Sequence, residues 1–347
     1  MSAVTRNYPR GKSELFGQKA EVTNCQPGII PEEVYARKTP CILKGLASDW
    51  PVVQAASESP AKAIEYILSF YQKRPVRAFM AEPSVKGRFF YNEDINGFNF
   101  IQQNVYLDEL LNKVVEVAGI PDVPTYYVGS TSIAEALPGF LEQQDLPLGE
   151  RKALKSIWLG NRTRVAPHFD FPDNIACCVI GQRRFTFFPP DQLENLYIGP
   201  IDLTPAGQQI SLVDLAEPDL EKFPKFKKAM DAAIVAELEP GDAVFIPSMW
   251  WHQVEGLSDI NGLVNFWWRT TPEYLGSPTD PLLHALLSLK SLPMEQRQAW
   301  QRIFNYYVFE QPDGALDHLP QAAKGRLGDI NEPIAKQLRA QLLNNLK

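Results

Sequence analysis

Hydrophobic positions along the chain fall into two textures. In the first third they recur at helical spacing. "SPAKAIEYILSFYQK" puts Ile64, Ile67, Leu68 and Tyr71 on one face, with Ser59 placed to cap the helix and Pro60 at its first position. "NVYLDELLNKVVEVAG" repeats the pattern with Leu107, Leu110, Leu111 and Val114, and stops at Gly119. Between and after them, "TPCILKGLASDWP" reads as a buried strand running into a turn and "TYYVGS" as a short strand. "SIAEALPGFLEQQ" reads as a helix interrupted near Pro138.

From about residue 155 the spacing shortens. "SIWLGN", "RVAPHFD", "IACCVIG" and "RRFTFFPP" are β-like runs bounded by Gly, Pro, Asn or Asp. "AIVAELEPGDAVFIPSMWWHQVEG" sets two strand-like runs about a PGD turn, and "GLVNFWWRT" follows. Many short strands with frequent turn signals predict an antiparallel sandwich or barrel. The segment near 200–232 is polar and broken by proline, and reads as an insertion. Helical spacing returns after residue 278. The expectation is a mainly β fold with flanking helices. N-terminal α/β elements (1–124) pack on a β core (125–272), and a helical region (273–347) follows. That last region carries Leu282, Leu286 and Leu289, then Trp300, Ile303, Phe304 and Tyr307, at spacings of three and four. A closed barrel has little room to cover them, which predicts a homodimer interface; packing back on the barrel is the alternative.

Composition narrows the class. The 347 residues suffice for a packed core, and 45% hydrophobic with 22% charged residues is ordinary for a globular protein. A net charge of −7 is not the footprint of a nucleic-acid binder, so no nucleic-acid partner is expected. Cys25, Cys41, Cys177 and Cys178 fit neither a zinc knuckle nor a disulfide framework, so they read as reduced core thiols. Adjacent in a strand, Cys177 and Cys178 point to opposite faces. "MSAVTRNYPRGKSELFG" lacks the apolar core of a signal peptide, and no run approaches the about 18 apolar residues of a membrane span. A cytoplasmic protein without membrane contact is expected.

Candidate chemistry centres on "RVAPHFDFPDN", which places His168 and Asp170 two apart in a chain with only four histidines. In a strand, i and i+2 share a face. Two histidines and a carboxylate on one face suit a first-row metal such as iron(II) and leave coordination positions open. His284 and His318 fall in the helical tail, whereas His252 ends a strand-like run after the PGD turn, so His252 is the third candidate. The bland alternative is a set of hydrogen-bonded core or surface histidines. "GQRRF" sets Arg183 and Arg184 on opposite faces, so one of them points inward unless the pair is simply at the surface.

"WLGNRTRVAPHFDFPDNIACCVIGQRRFTFFPPDQLENLY", then "LEPGDAVFIPSMWWHQVEGL" and "VNFWW", occur in an order that resembles the cupin-like branch of the jumonji-C family. Among its members the factor-inhibiting-HIF type hydroxylases are the nearest likeness. The resemblance runs from "TPCILKGLASDWP" to "NFWWR". It implies a double-stranded β-helix (jelly-roll, cupin) core over 125–272. It also implies iron(II), 2-oxoglutarate as cosubstrate and dioxygen, used to hydroxylate or demethylate a substrate. His168, Asp170 and His252 match that family's facial triad. Arg183 stands where relatives commonly carry a lysine against the far carboxylate of 2-oxoglutarate; a guanidinium binds a carboxylate in two-pronged fashion. Asn174 and Asn265 match positions near the cosubstrate or metal. Tyr127 matches a tyrosine on the far carboxylate, with Tyr126 left open as the true match. Trp267 shares parity with Asn265 and so lines the pocket or simply packs the barrel. Val165 departs from the pattern, because several relatives have a threonine there. The implied substrate is a protein or peptide side chain or a small molecule. The alternative function is a non-oxygenase metal-binding cupin, either an isomerase or hydrolase or a binding module.

Overall fold

A computed structural model of the chain describes residues 16–205, 207–310 and 312–346. Most of the N-terminal stretch read above for a signal peptide lies outside them. The described residues divide into two compact units, one ending at Arg269 and the other starting at Thr270.

The first unit is built on strands. Its N-terminal part supplies β1 (Gln18–Lys19), β2 (Glu21–Asn24), β3 (Cys41–Lys44), β4 (Val76–Ala81), β5 (Arg88–Phe89) and β6 (Ile101–Val105). There follow β7 (Thr125–Ser132), β8 (Leu154–Gly160), β9 (Arg164–His168), β10 (Asp173–Ile180) and β11 (Arg183–Phe188). The last four are β12 (Ile234–Leu238), β13 (Ala243–Ile246), β14 (Trp251–Gly256) and β15 (Asn261–Trp268). One sheet has the order β1-β12-β11-β14-β9-β5 and the other β2-β3-β13-β10-β15-β8-β7-β4-β6. The fold is therefore mainly β, two large mixed sheets with helices outside, as a cupin jelly roll requires. Strands from the first 124 residues extend both sheets, so this segment is woven into the core and does not merely pack on it.

Strand alternation sorts the residues into layers. Ala176 and Cys178 of β10, Val244 and Ile246 of β13 and Leu263 of β15 meet Phe185 and Phe187 of β11 and Ala236 and Leu238 of β12 between the sheets. The alternate positions of the large sheet, Ile175, Cys177, Val179, Phe245, Val264 and Phe266, face outward into a second core. That core is closed by helices α1 (Pro51–Glu58), α2 (Pro60–Leu68) and α3 (Leu107–Glu116). Cys177 and Cys178 thus bury into different layers, and all four cysteines are free thiols. The hydroxyl oxygen of Ser59 accepts the Lys62 amide and caps α2 as its sequence predicts. The predicted interrupted helix is α4 (Ile133–Ala136), broken before Gly139, where φ is +89°.

The chain crosses between the sheets at Gly181–Gln182. Gly181 has φ +70°, and a Cβ there would sit 2.4 Å from the Ile260 carbonyl, so only glycine fits this corner. The corner sets the register of Arg183 and Arg184 on β11. The insertion is less polar in space than in sequence. Leu196, Val213 and Leu215 join Phe226 and Met230 of α5 (Phe226–Ala232) over Phe188 and Trp251 on the outer face of the smaller sheet.

The second unit contains α6 (Thr279–Ser288), α7 (Met294–Phe304), α8 (Gln321–Lys324) and α9 (Glu332–Asn345). Helix α7 continues into a π-helical turn over Asn305–Phe309. Leu282, Leu286, Trp300, Ile303 and Tyr307 are exposed on its surface. Among the described residues, no helix is long and apolar enough to cross a membrane.

Candidate metal and cosubstrate site

β9 and β14 are antiparallel neighbours, and their register sets His168 directly opposite His252. Alternation along β14 sends Trp251 outward, edge-on to Phe169 at 4.9 Å, and His252 inward. The imidazole centroids are 4.5 Å apart. β9 ends at His168, so Asp170 lies just past the ladder in the turn toward Pro172, not on the strand. Its carboxylate still returns to the same side. The Trp267 indole N–H donates to Asp170 Oδ2 at 3.2 Å, and Asp170 Oδ2 is 3.7 Å from His252 Nε2. One ligand atom from each of His168, Asp170 and His252 falls within 4.8 Å of the others, and no other such group occurs among the described residues.

The tautomers follow from the backbone. Nδ1 of His168 lies 2.9 Å from the Ala166 carbonyl, and Nδ1 of His252 lies 2.9 Å from the Trp250 carbonyl. A carbonyl only accepts, so each Nδ1 carries the proton and each Nε2 keeps a lone pair. Burial, and then the neighbouring His168, push the His252 pKa down to about 4, which keeps its ring neutral near pH 7. Two neutral imidazoles and one carboxylate fit a first-row divalent metal.

The group opens into a cavity of about 920 Å³. Arg183 lines it from β11 and is 1% exposed. No carboxylate pairs with it among the described residues, and its Nε has no hydrogen-bond partner. Tyr127 also lines the cavity and hydrogen-bonds Arg183; burial pushes its pKa up to about 12, with Arg183 pulling the other way. Tyr126 packs on the outer, helix-covered side, so β7's register settles which tyrosine faces in. Asn265 Nδ2 donates to Asn174 Oδ1 at 2.9 Å, leaving the buried Asn265 Oδ1 without a partner. A buried cation without an anion, its guanidinium Nε unpaired, fits a carboxylate, whereas the orphaned Asn265 Oδ1 is an acceptor that suits a donor such as a metal-bound water. Arg184 points to the opposite face, as its parity requires. It is buried too, against Glu237 at 2.8 Å and Glu255 at 3.8 Å, so neither arginine is a surface residue.

Several lining residues escape a reading by motif. Phe79 of β4 stands 6.1 Å from the Tyr127 ring, Phe89 of β5 stacks on Tyr127 at 5.7 Å, and the insertion contributes Thr204 and Ile210. The alternation in "VRAFMA" is the one sequence signal that marks β4 as a strand with Phe79 on one face.

A jelly roll holding a two-histidine, one-carboxylate group beside a buried arginine with no carboxylate partner among the described residues defines a cupin with a candidate metal site. The match is specific: residues 27–274 fit the model of the cupin-like domain, and the chain belongs to that family. It is 32% identical over 136 residues to a lysine-specific demethylase of Arabidopsis thaliana, covering 37% of this chain and 24% of the relative. It is 25% identical over 274 residues to JmjC domain-containing protein F of Dictyostelium discoideum, covering 66% of this chain and 56% of the relative. The chain thus spans about a quarter and just over half of these two relatives' lengths. Against tRNA wybutosine-synthesizing protein 5 of Gallus gallus it is 25% identical over 308 residues, 78% of this chain and 87% of the relative. Two of these relatives are named for enzymatic work, lysine demethylation and the synthesis of wybutosine in tRNA.

Proposed function

We propose that the chain is an iron(II)- and 2-oxoglutarate-dependent dioxygenase that hydroxylates its substrate. The observation that carries this is the convergence on one cavity of the His168, Asp170, His252 group and the buried, carboxylate-free Arg183. In this reading His168, Asp170 and His252 hold the metal through two Nε2 lone pairs and a carboxylate. Trp267 fixes the rotamer of Asp170 through its indole N–H. Arg183 and Tyr127 receive the far carboxylate of the cosubstrate. Asn174 and Asn265, already bonded to each other, present the free amide oxygen of Asn265 to the coordination sphere. With iron(II), 2-oxoglutarate and dioxygen bound, such a site supplies oxidative C–H hydroxylation, with succinate and carbon dioxide as co-products. The protein's share is orientation and the exclusion of water.

The substrate is a protein or peptide side chain or a small molecule. Two relatives are named for lysine demethylation and for tRNA modification. A net charge of −7 favours the non-polyanionic side of that pair. Four free thiols, three of them buried, suit the reducing cytoplasm. The exposed leucine and aromatic stripe of the C-terminal unit supports a homodimer. Aerobic incubation of iron-loaded protein with 2-oxoglutarate tests the activity. Succinate release that requires both is expected, and protein that binds metal yet releases none is a non-oxygenase cupin.

A further inference from the structure

The cavity is larger than a metal and 2-oxoglutarate need. Its about 920 Å³ lies near the top of the roughly 300–1,000 Å³ typical of small-molecule sites. Beyond the metal group its wall is aromatic. Tyr127 and Trp158 rings stack at 5.8 Å, Phe89 and Phe100 meet edge-on at 5.3 Å, and Phe98 lies flat on Phe100 at 4.9 Å. With Phe79 these rings pack on one another as a connected apolar wall of the cavity. Its charges are unevenly distributed. Arg77 shares the Phe79 face of β4, one strand repeat of about 7 Å away, and Arg74 precedes the strand. Both arginines line the cavity, both are exposed, and neither pairs with a carboxylate among the described residues. Opposing them in the described lining are Glu135 and Asp170, and Asp170 belongs to the metal group. An acidic chain has therefore put three arginines and two carboxylates around one cavity. Arg183 serves the cosubstrate, which leaves Arg74 and Arg77 for something else.

We propose, resting on the oxygenase reading, that the substrate is a small ring-bearing anion, an aryl carboxylate or aryl phosphate. Its ring stacks against the cavity wall of Phe79, Phe89, Phe100 and Trp158, and its anionic group is held by Arg74 and Arg77. The phenylalanine faces supply stacking without hydrogen-bond demands, the buried and unpaired Trp158 indole N–H adds one donor, and the guanidinium forks supply the geometry an oxyanion needs.

Calorimetry on manganese(II)-loaded protein in excess 2-oxoglutarate tests this without turnover. The probes are 2-naphthyl phosphate, 2-naphthoate, neutral 2-naphthol and inorganic phosphate. The two naphthyl anions are expected to bind at least about tenfold more tightly than 2-naphthol and than inorganic phosphate. The double variant Arg74→Gln, Arg77→Gln is expected to erase the preference for the anions over 2-naphthol. Equal binding of 2-naphthol and the anions, equal binding of phosphate with and without the ring, or no binding of any naphthyl probe overturns the proposal. So does loss of naphthyl phosphate binding when 2-oxoglutarate is added, because the anion site is then Arg183. A parallel 2-oxoglutarate titration separates the two readings. If 2-oxoglutarate does not bind while the arginine-dependent naphthyl pattern holds, the oxygenase reading fails alone. If it binds and the pattern is absent, only the substrate class fails.

Discussion

Replacing Arg183 by methionine is expected to move stability and ligand affinity in opposite directions. The guanidinium is 1% exposed and has no carboxylate partner among the described residues. An unpaired buried ion carries an effective penalty of about several kcal/mol. Methionine keeps much of the volume and removes the charge. The loss is the Tyr127 hydrogen bond, and leaving one buried hydroxyl unpaired costs about 1–3 kcal/mol. The first effect is the larger, so Arg183→Met should melt at or above the wild-type temperature. Binding goes the other way. Hydrogen bonds to a charged group contribute about 1.5–3 kcal/mol, and about 1.4 kcal/mol is a factor of ten, so 2-oxoglutarate should bind roughly 10- to 150-fold more weakly. Arg184→Met is the control with inverted behaviour. It strips Glu255, which is 9% exposed, of a cation 3.8 Å away, and it breaks the 2.8 Å pair with Glu237. Stability should therefore fall while 2-oxoglutarate affinity holds. Thermal melts and calorimetry with manganese(II) in place of iron read both quantities. Unchanged 2-oxoglutarate affinity in Arg183→Met refutes the anion site, and a large drop in melting temperature shows the guanidinium to be structural. A binding loss confined to Arg184→Met would mean that the inward face of β11 has been misassigned.

His168→Ala and Asp170→Ala should each abolish metal stoichiometry with unchanged circular dichroism, whereas His284→Ala, exposed on α6, should retain the metal; normal iron content in either of the first two sinks the assignment. Trp267→Phe keeps the ring but removes the N–H donor to Asp170, so metal affinity should fall roughly 10- to 100-fold, read by chelator competition. Unaltered affinity would show that Asp170 needs no such support. Leu282→Glu with Leu286→Glu should convert a full-length dimer into a monomer by light scattering, and a wild-type protein already monomeric at micromolar concentration ends the homodimer reading.

Much of the core was legible because its signals are local. Ser59 caps α2 and the Leu107, Leu110, Leu111, Val114 stripe of α3 is buried, since helix periodicity and capping depend on neighbours three and four apart. Strand parity alone divides Cys177 from Cys178 and Arg183 from Arg184, and histidine scarcity singles out His168 and His252. Parity, however, says only that two residues face apart and is silent on which face is inside. Tyr127 and not Tyr126 enters the cavity because β7 pairs with β4 and β8 and turns its other side to the helices. Asp170 reaches the histidines from beyond the end of β9 because an indole from β15, almost a hundred residues later in the chain, holds it there. Parity puts Arg184 on the face opposite Arg183 without saying whether it is covered, and two glutamates on neighbouring strands, Glu237 and Glu255, allow it to be buried. Local periodicity is written in the sequence one residue after another, whereas the inside of a sheet, and the partner that makes a buried charge tolerable, exist only once distant strands have met.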